Sequence, residues 1–226
     1  MRLMALIAWD EVSWADFVAG LEGYRDHFTR KGDGERAYAG LLAAMQDEPL
    51  ATLPDRAADI VRLLNKWACR LSTARAPGAL EGWLQGHLSA LADFEALTIR
   101  DPSVPEHTDV LADLHDGLIK EMRANGVLNM SDAAASKALH LLGPRLFVMW
   151  DKEIRRSAPE GYGAYLLQMH DLARRLVEEA PAEDVEAYLH ERLGYEARKT
   201  LAKYLDEYNW FEAVGRGQLA ARARSE

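Results

Sequence analysis

Apolar residues recur at every third or fourth position along most of this chain, which is the spacing of an amphipathic α-helix. Prolines and glycines interrupt the pattern, and Val and Ile, which are enriched in strands, are sparse. The pattern predicts a first helix through Val12 and Tyr24, then helices over about 35–46, 54–71, 79–99, 106–125, 131–142, 152–157, 164–180 and 182–193, and a last one reaching about 213. We therefore expect an all-α fold, a bundle of about ten helices.

Local signals mark where several helices begin and end. Gly126 is typical of the residue just past a helix C-terminus, and Ser131 or Asn129 can cap the next helix at its N-terminus. The clearest loop, residues 101–105, predicts a junction between two lobes, 1–100 and 101–226, of one domain.

Composition limits the function classes. The 226 residues carry a net charge of −9 at pH 7, which argues against a large non-specific nucleic-acid surface. The single cysteine, Cys69, excludes an internal disulfide framework, and no phosphate loop or dinucleotide fingerprint occurs. Residues 106–116 are rich in His and Asp, but their spacing favours a solvated acidic helix over a metal site. We therefore predict no cofactor and no bound metal.

The sequence also bears on location. Residues 1–8 are apolar but lack the basic start and the cleavage site of a signal peptide. No segment approaches the roughly 18 apolar residues of a membrane span. We expect a cytoplasmic protein with no membrane partner.

The most informative segment is 134–156. A helix rich in small residues ends at Gly143-Pro144, and an apolar run leads to Asp151, which is expected to cap a short helix at its N-terminus. Lys137 and His140 are three residues apart, so they are expected to share one face of the first helix.

This order of elements resembles the second half of the helix-hairpin-helix base-excision DNA glycosylase superfamily. Residues 135–138 resemble the start of the helix after the hairpin, and residues 147–156 resemble the segment around the catalytic aspartate. The resemblance implies a glycosylase-like two-lobed fold, a role in DNA repair and a DNA or nucleoside substrate. It assigns Asp151 as the catalytic carboxylate, which stabilises an oxocarbenium-like sugar or orients a water. The same residues also resemble the signature Ser-Lys-x-Leu-His…Pro-x-Leu-Phe…Trp-Asp of an uncharacterised bacterial group, which implies no activity.

Several nearby residues are candidates for phosphate or base contacts. Lys137, His140 and Arg155 accompany Asp151 in the same segment. A second set is predicted on the helix over 63–71, where Lys66 and Arg70 are four residues apart and Trp67 can stack on a base. The competing interpretation has Trp67 in the core and the charges in solvent.

A different class of function stays open beside the glycosylase hypothesis. The corresponding hairpin, residues 129–132, has no glycine, and Asp132 would repel a phosphate. These departures and the acidic net charge favour a non-enzymatic helical protein, a binding or interaction module on a degenerate glycosylase scaffold. In that case the segment around Asp151 only packs two parts of the fold together.

Overall fold

The computed structural model describes residues 6–28, 33–45 and 48–223, and every regular element within them is helical. The α-helices are α1 (Trp14–Phe28), α2 (Asp33–Met45), α3 (Ala57–Lys66), α4 (Ala76–Ala92), α5 (Val104–Ala124), α6 (Asp132–Leu142), α7 (Tyr162–Glu179), α8 (Val185–Leu193), α9 (Leu201–Trp210) and α10 (Arg216–Arg222). Three 3-10 helices (Trp9–Glu11, Leu50–Arg56 and Ile154–Arg156) and a π-helical turn (Phe211–Gly215) complete the set over these ranges.

The all-α prediction is confirmed. The π-helical turn joins α9 to α10 without a break, so the described ranges hold nine helices if these two are counted as one, close to the ten expected. The predictions for residues 1–5 and for the break at residues 30–32 lie outside the described residues. The glycosylase-like fold and the two-lobe division stay predictions. In the described ranges, no helix is both long and apolar enough to cross a bilayer.

Helix termini follow the local chemistry of the sequence. The hydroxyl of Ser131 accepts the Ala134 N–H (3.2 Å) and caps α6, as expected. Gly126 and Gly194 follow α5 and α8 with φ angles of 81° and 64°. This left-handed conformation costs glycine little, so both positions stop a helix where the pattern predicts.

The helix predicted over 54–71 is wrong at both ends. Pro54 lies inside the 3-10 helix that precedes α3, and α3 stops at Lys66. The side-chain amide of Asn65 holds the loop that follows, because it accepts the Leu71 N–H (2.6 Å) and donates to the Leu71 carbonyl (3.0 Å). Arg70 takes a positive φ of 55°, which an α-helix excludes.

The helix predicted over 79–99 is also shorter than expected. It begins at Ala76, so Pro77 lies in the first turn of α4, where its missing N–H costs no hydrogen bond. It ends at Ala92 instead of near Ile99.

The centre of the molecule is α5, which packs against α4, α6 and α7, while α3 packs against α4 and α6. The helix α1 lies against α9 and approaches it closely at Gly20, where an added Cβ would lie 2.5 Å from the Tyr208 ring. Fully buried Trp83, Tyr165 and Phe17 belong to one continuous apolar core. This core fixes α6 and the segment that follows it, which carry the predicted site.

Candidate functional site

A non-helical segment, Leu146–Trp150, is buried inside this helical protein. Its backbone polar groups need hydrogen-bond partners, and side chains of the neighbouring helices supply several of them. The Tyr162 hydroxyl donates to the Val148 carbonyl (3.0 Å), and the Tyr165 hydroxyl donates to the Met149 carbonyl (2.9 Å). Two tyrosines of α7 thus donate hydrogen bonds that the backbone of a neighbouring strand would donate in a sheet.

Two residues of the predicted signature hold the same segment from the other side. The Ser136 hydroxyl accepts the Trp150 N–H (2.9 Å), and the Nδ1 of His140 lies 2.6 Å from the Phe147 carbonyl oxygen. The Nε2 of His140 lies 2.8 Å from the Tyr38 hydroxyl. His140, a candidate for nucleic-acid contact, therefore lies in the core with both ring nitrogens in use, and burial lowers its pKa to about 3.

Asp151 ends the buried segment and forms an ion pair with Lys137 of α6, with Nζ 2.9 Å from Oδ1. The two side chains are 23% and 13% exposed, Asp151 being the more accessible. Burial alone would lower the pKa of Lys137, but the Asp151 carboxylate outweighs this and raises it. The pair leaves part of the Asp151 carboxylate open to solvent.

The expectation that Asp151 caps a helix is wrong. The predicted helix over 152–157 is a single 3-10 turn, Ile154–Arg156, and its N-cap is Glu153. Asp151 contributes only its backbone carbonyl, which accepts the Arg155 N–H (3.0 Å). Its carboxylate is directed to Lys137 because the ion pair offers a stronger, charge-assisted partner.

Arg155 lies beside this pair on the outside of the protein. Its guanidinium lies 5.1 Å from the centre of the Trp150 ring and forms an ion pair with Asp132. Asp132 is the acid expected to repel a phosphate at the start of α6. Its charge is thus partly balanced, but the cation that balances it is itself a predicted nucleic-acid contact.

The thiol of Cys69 lies close enough to Lys137 and Asp151 for their charges to act on it. Burial raises its pKa, and the Lys137 ammonium opposes that effect. The thiol is therefore protonated at neutral pH, as expected for a packed cysteine and not for a nucleophile.

The three candidates from residues 63–71 do not share one helix face. Lys66 is the exposed last residue of α3, and Arg70 is exposed in the loop that follows. The Trp67 ring packs on the Tyr38 ring with centroids 5.6 Å apart. The structure therefore brings Lys137 to Asp151 but leaves this second set dispersed.

A cavity of about 1110 Å³ lies between α2, the end of α4, the loop after α6 and the loop from Gly194 to Thr200. Neither Asp151 nor Lys137 is among the described residues that line it. Apolar side chains form much of the wall: Leu42, Met45, Leu50, Leu53, Leu91, Phe94, Leu97, Leu141, Leu142 and Phe147.

Charged side chains form another part of the wall. The ammonium of Lys199 lies 3.0 Å from the Glu35 carboxylate and 2.5 Å from the Glu207 carboxylate. Glu207 is fully buried and also accepts the Tyr195 hydroxyl (3.0 Å). Lys199 is 8% exposed, whereas Glu35 is 26% exposed, and both residues line the cavity.

Lys203 extends these contacts behind the wall. Its ammonium lies 2.8 Å from Asp206, 3.4 Å from Glu207 and 3.8 Å from Glu35. Burial alone would lower the pKa of Lys203, but these carboxylates raise it well above the usual value. We call Glu35, Lys199, Lys203, Asp206 and Glu207 the buried charge cluster.

No family model, curated protein or solved structure matches this chain. Within the described ranges, no group of three or more His, Cys, Asp or Glu side chains is arranged to hold a metal ion.

The buried charge cluster was missed by sequence reasoning, although the sequence holds a signal for it. Lys199, Lys203 and Glu207 follow one another at intervals of four, a spacing that predicts one face of a helix; in the structure Lys203 and Glu207 lie on α9 and Lys199 just precedes it. Apolar and aromatic residues surround them over 201–211. Charges at helical spacing inside such a segment indicate ion pairs that are buried.

Proposed function

We propose that this protein is a binding protein for a small organic molecule and that the ligand occupies the cavity beside the buried charge cluster. The observation that carries the proposal is the combination of an apolar wall with fixed polar groups in a cavity of about 1110 Å³. Ligand sites in proteins are typically concave, mostly apolar and furnished with a few polar groups that orient the ligand. This function is a form of the non-enzymatic binding role that the sequence leaves open beside the glycosylase hypothesis.

The energetic cost of the buried charge cluster supports this proposal. A buried ion pair is often no more stabilising than well-packed apolar residues of similar volume, because its charges lose their hydration. Here Lys199, which lines the cavity, and its partner Glu207 are 8% and 0% exposed. A role in orienting a ligand explains why charges are retained at this place.

Binding of the neutral dye Nile red tests the proposal without involving charge. We expect saturable fluorescence enhancement with one site per chain. Ala43→Trp, at an exposed position of α2 that lines the cavity, should fill the space and weaken binding at least tenfold. Ala124→Trp at the exposed end of α5 is the matched control and should bind as wild type does. Equal binding by the Ala43→Trp variant would rule out the cavity as the site.

Hydrolysis of an N-glycosidic bond at Asp151 is the second candidate function. The observation that favours it is a carboxylate that stays 23% exposed and is paired with Lys137, an arrangement suited to holding an ionised acid beside a developing oxocarbenium ion. In this reaction water adds to C1′ of the sugar while the base leaves with a proton, and the substrate is DNA or a nucleoside.

The test is release of free base from duplexes that contain uracil, 8-oxoguanine or 3-methyladenine, and from free nucleosides. Wild type should release base and Asp151→Asn should not, while Asp116→Asn, a change of the same kind at an exposed position of α5, should match wild type. Absence of release by wild type, or equal release by the Asp151→Asn variant, removes this candidate and leaves the binding function untouched.

A further inference from the structure

We propose that the ligand of the cavity is an amphipathic organic amine, whose apolar body lies against the leucine-rich wall and whose ammonium group pairs with Glu35. The proposal rests on the proposed binding function and specifies its ligand class. Two independent properties of the polar wall, its hydrogen-bonding capacity and its charge, lead to it.

The first property is that the hydrogen-bond donors of the inner part of the polar wall, around Glu35, are already used within the protein. The Tyr38 hydroxyl donates to His140, and the Tyr195 hydroxyl donates to Glu207. In the same way, the Thr200 hydroxyl donates to the Pro144 carbonyl (2.6 Å).

The ammonium of Lys199 is occupied as well. It donates to Glu207 and lies 3.0 Å from the Glu35 carboxylate, and it also lies 3.6 Å from the centre of the Tyr195 ring in a cation–π contact. None of these wall donors is left for a ligand.

Acceptors, in contrast, remain available at the wall. An ionised carboxylate offers about four acceptor positions, and the described partners of Glu35 are only the ammonium groups of Lys199 and Lys203. The phenol oxygens of Tyr38 and Tyr195 each keep acceptor capacity, because each is described only as a donor.

This inner part of the wall is rich in acceptors and poor in donors, whereas the guanidinium groups of Arg36 and Arg145 belong to exposed residues at the border of the cavity. The inner part therefore favours a ligand head that donates hydrogen bonds, and it fits carboxylates and phosphates poorly because they are acceptors.

The second property is the charge of the buried charge cluster. It contains three carboxylates and two ammonium groups, so one negative charge has no matching cation within the cluster. His140 adjoins the cluster through Tyr38 but is neutral at pH 7, since burial lowers its pKa to about 3.

A cation entering the cavity would supply the missing charge. Glu35 is the natural partner, because it lines the cavity and is the most exposed carboxylate of the buried charge cluster.

Four arginines among the described residues also border the cavity. Arg25 and Arg198 form ion pairs with Asp26 and Asp184. Arg36 and Arg145 are exposed, so that water and salt screen their repulsion of a buried cation. The exposed Glu95 and Glu196 at the same border offset them.

Displacement of Nile red by three ten-carbon probes tests the ligand class. Decylamine should bind more tightly than decanol, and decanol more tightly than decanoate. A charge-assisted hydrogen bond makes decylamine about tenfold tighter than decanol. Shortening the amine chain should weaken binding about fourfold for each methylene removed.

Variants locate the ammonium group. Glu35→Gln should weaken decylamine binding about tenfold and decanol binding less than twofold. Glu178→Gln removes the same charge from an exposed position of α7, away from the cavity, and should change neither. Because Glu35→Gln also disturbs the buried charge cluster, Glu35→Asp is included as a variant that keeps the charge, and it should retain the preference for decylamine over decanol.

The possible failures are distinguishable. If decanoate binds as tightly as decylamine, or if Glu35→Gln leaves the preference for the amine unchanged, the ligand class is wrong. The binding function still stands in that case, since Nile red occupies the cavity. If Nile red itself does not bind, the binding function fails and the ligand class fails with it.

Discussion

The Nδ1 atom of His140 lies 2.6 Å from the Phe147 carbonyl oxygen, and this contact fixes the protonation state of the ring. A carbonyl can only accept, so Nδ1 carries the proton and Nε2 is free to accept the Tyr38 hydroxyl. Protonation of Nε2 would place a charge in the core. Burial away from water is the main reason why the pKa of His140 falls to about 3, and the Lys203 ammonium adds to it.

The first prediction concerns stability in acid. The unfolded chain binds a proton at His140 below about pH 6.5 while the native protein does not, so this residue makes stability fall as pH drops from 6.5 towards 3. Between pH 7 and 5 the contribution is about 2 kcal/mol. His140→Asn, compared with wild type by urea unfolding at both pH values, should be less stable at pH 7 but lose about 2 kcal/mol less on acidification. His107→Asn on α5 is the control, and a His140→Asn variant with the wild-type pH dependence would contradict the prediction.

The second prediction concerns the Lys137–Asp151 ion pair. Both side chains are mostly buried, so a double-mutant cycle with Lys137→Met and Asp151→Asn should give a coupling free energy of about 1–2 kcal/mol. The exposed pair of Arg62 and Asp59 on α3 should give about 0.3 kcal/mol in the same measurement. Equal coupling in the two cycles would show that burial adds nothing to the Asp151 pair.

The third prediction concerns the buried charge cluster. Lys203→Met leaves three carboxylates with one ammonium group and should lower the free energy of unfolding by about 3–5 kcal/mol at pH 7. Burial already raises the pKa of Asp206, and loss of Lys203 raises it further. A raised carboxyl pKa costs stability as pH increases, so the deficit of the variant should shrink between pH 7 and 5. Lys66→Met, at the exposed end of α3, should change stability by less than about 0.5 kcal/mol at either pH.

The fourth prediction compares two glycines in and after α5. Gly126 has a φ of 81°, so Gly126→Ala should destabilise by about 1 kcal/mol. Gly117 lies inside the helix with open space around an added Cβ, so Gly117→Ala should stabilise by about 0.5–1 kcal/mol. Thermal unfolding of the two variants should therefore shift in opposite directions.

The sequence predicts best those parts of the fold that depend on local chemistry. Gly126 and Gly194 end helices because they adopt left-handed backbone, and Ser131 caps α6 because its hydroxyl reaches a free N–H of the first turn. The end of α3 was missed because apolar residues continue to Leu71 at helical spacing. The contact that holds the loop there, between the Asn65 side chain and the Leu71 backbone, cannot be recognised from the spacing of apolar residues.

The candidate site was predictable only in part. Because Lys137 and Asp151 belong to the same short segment, the sequence predicts that they lie close together. In the structure they form an ion pair. The cavity is lined by residues from Arg25 to Thr200, and no local pattern shows that these segments meet. His140 was given a functional role because an imidazole in a short motif is typical of chemistry, yet its partners lie in the core.

The contacts of the buried non-helical segment limit which side chains related proteins can carry at four positions. A strand in a sheet tolerates many side chains, because its neighbours bond through their backbones. Leu146–Trp150 instead depends on a hydroxyl at 136, an imidazole at 140 and phenols at 162 and 165. These four positions should therefore accept few substitutions even in a chain that binds no ligand. If they are invariant among related chains, the reason would be their role in folding and not a role in binding or catalysis.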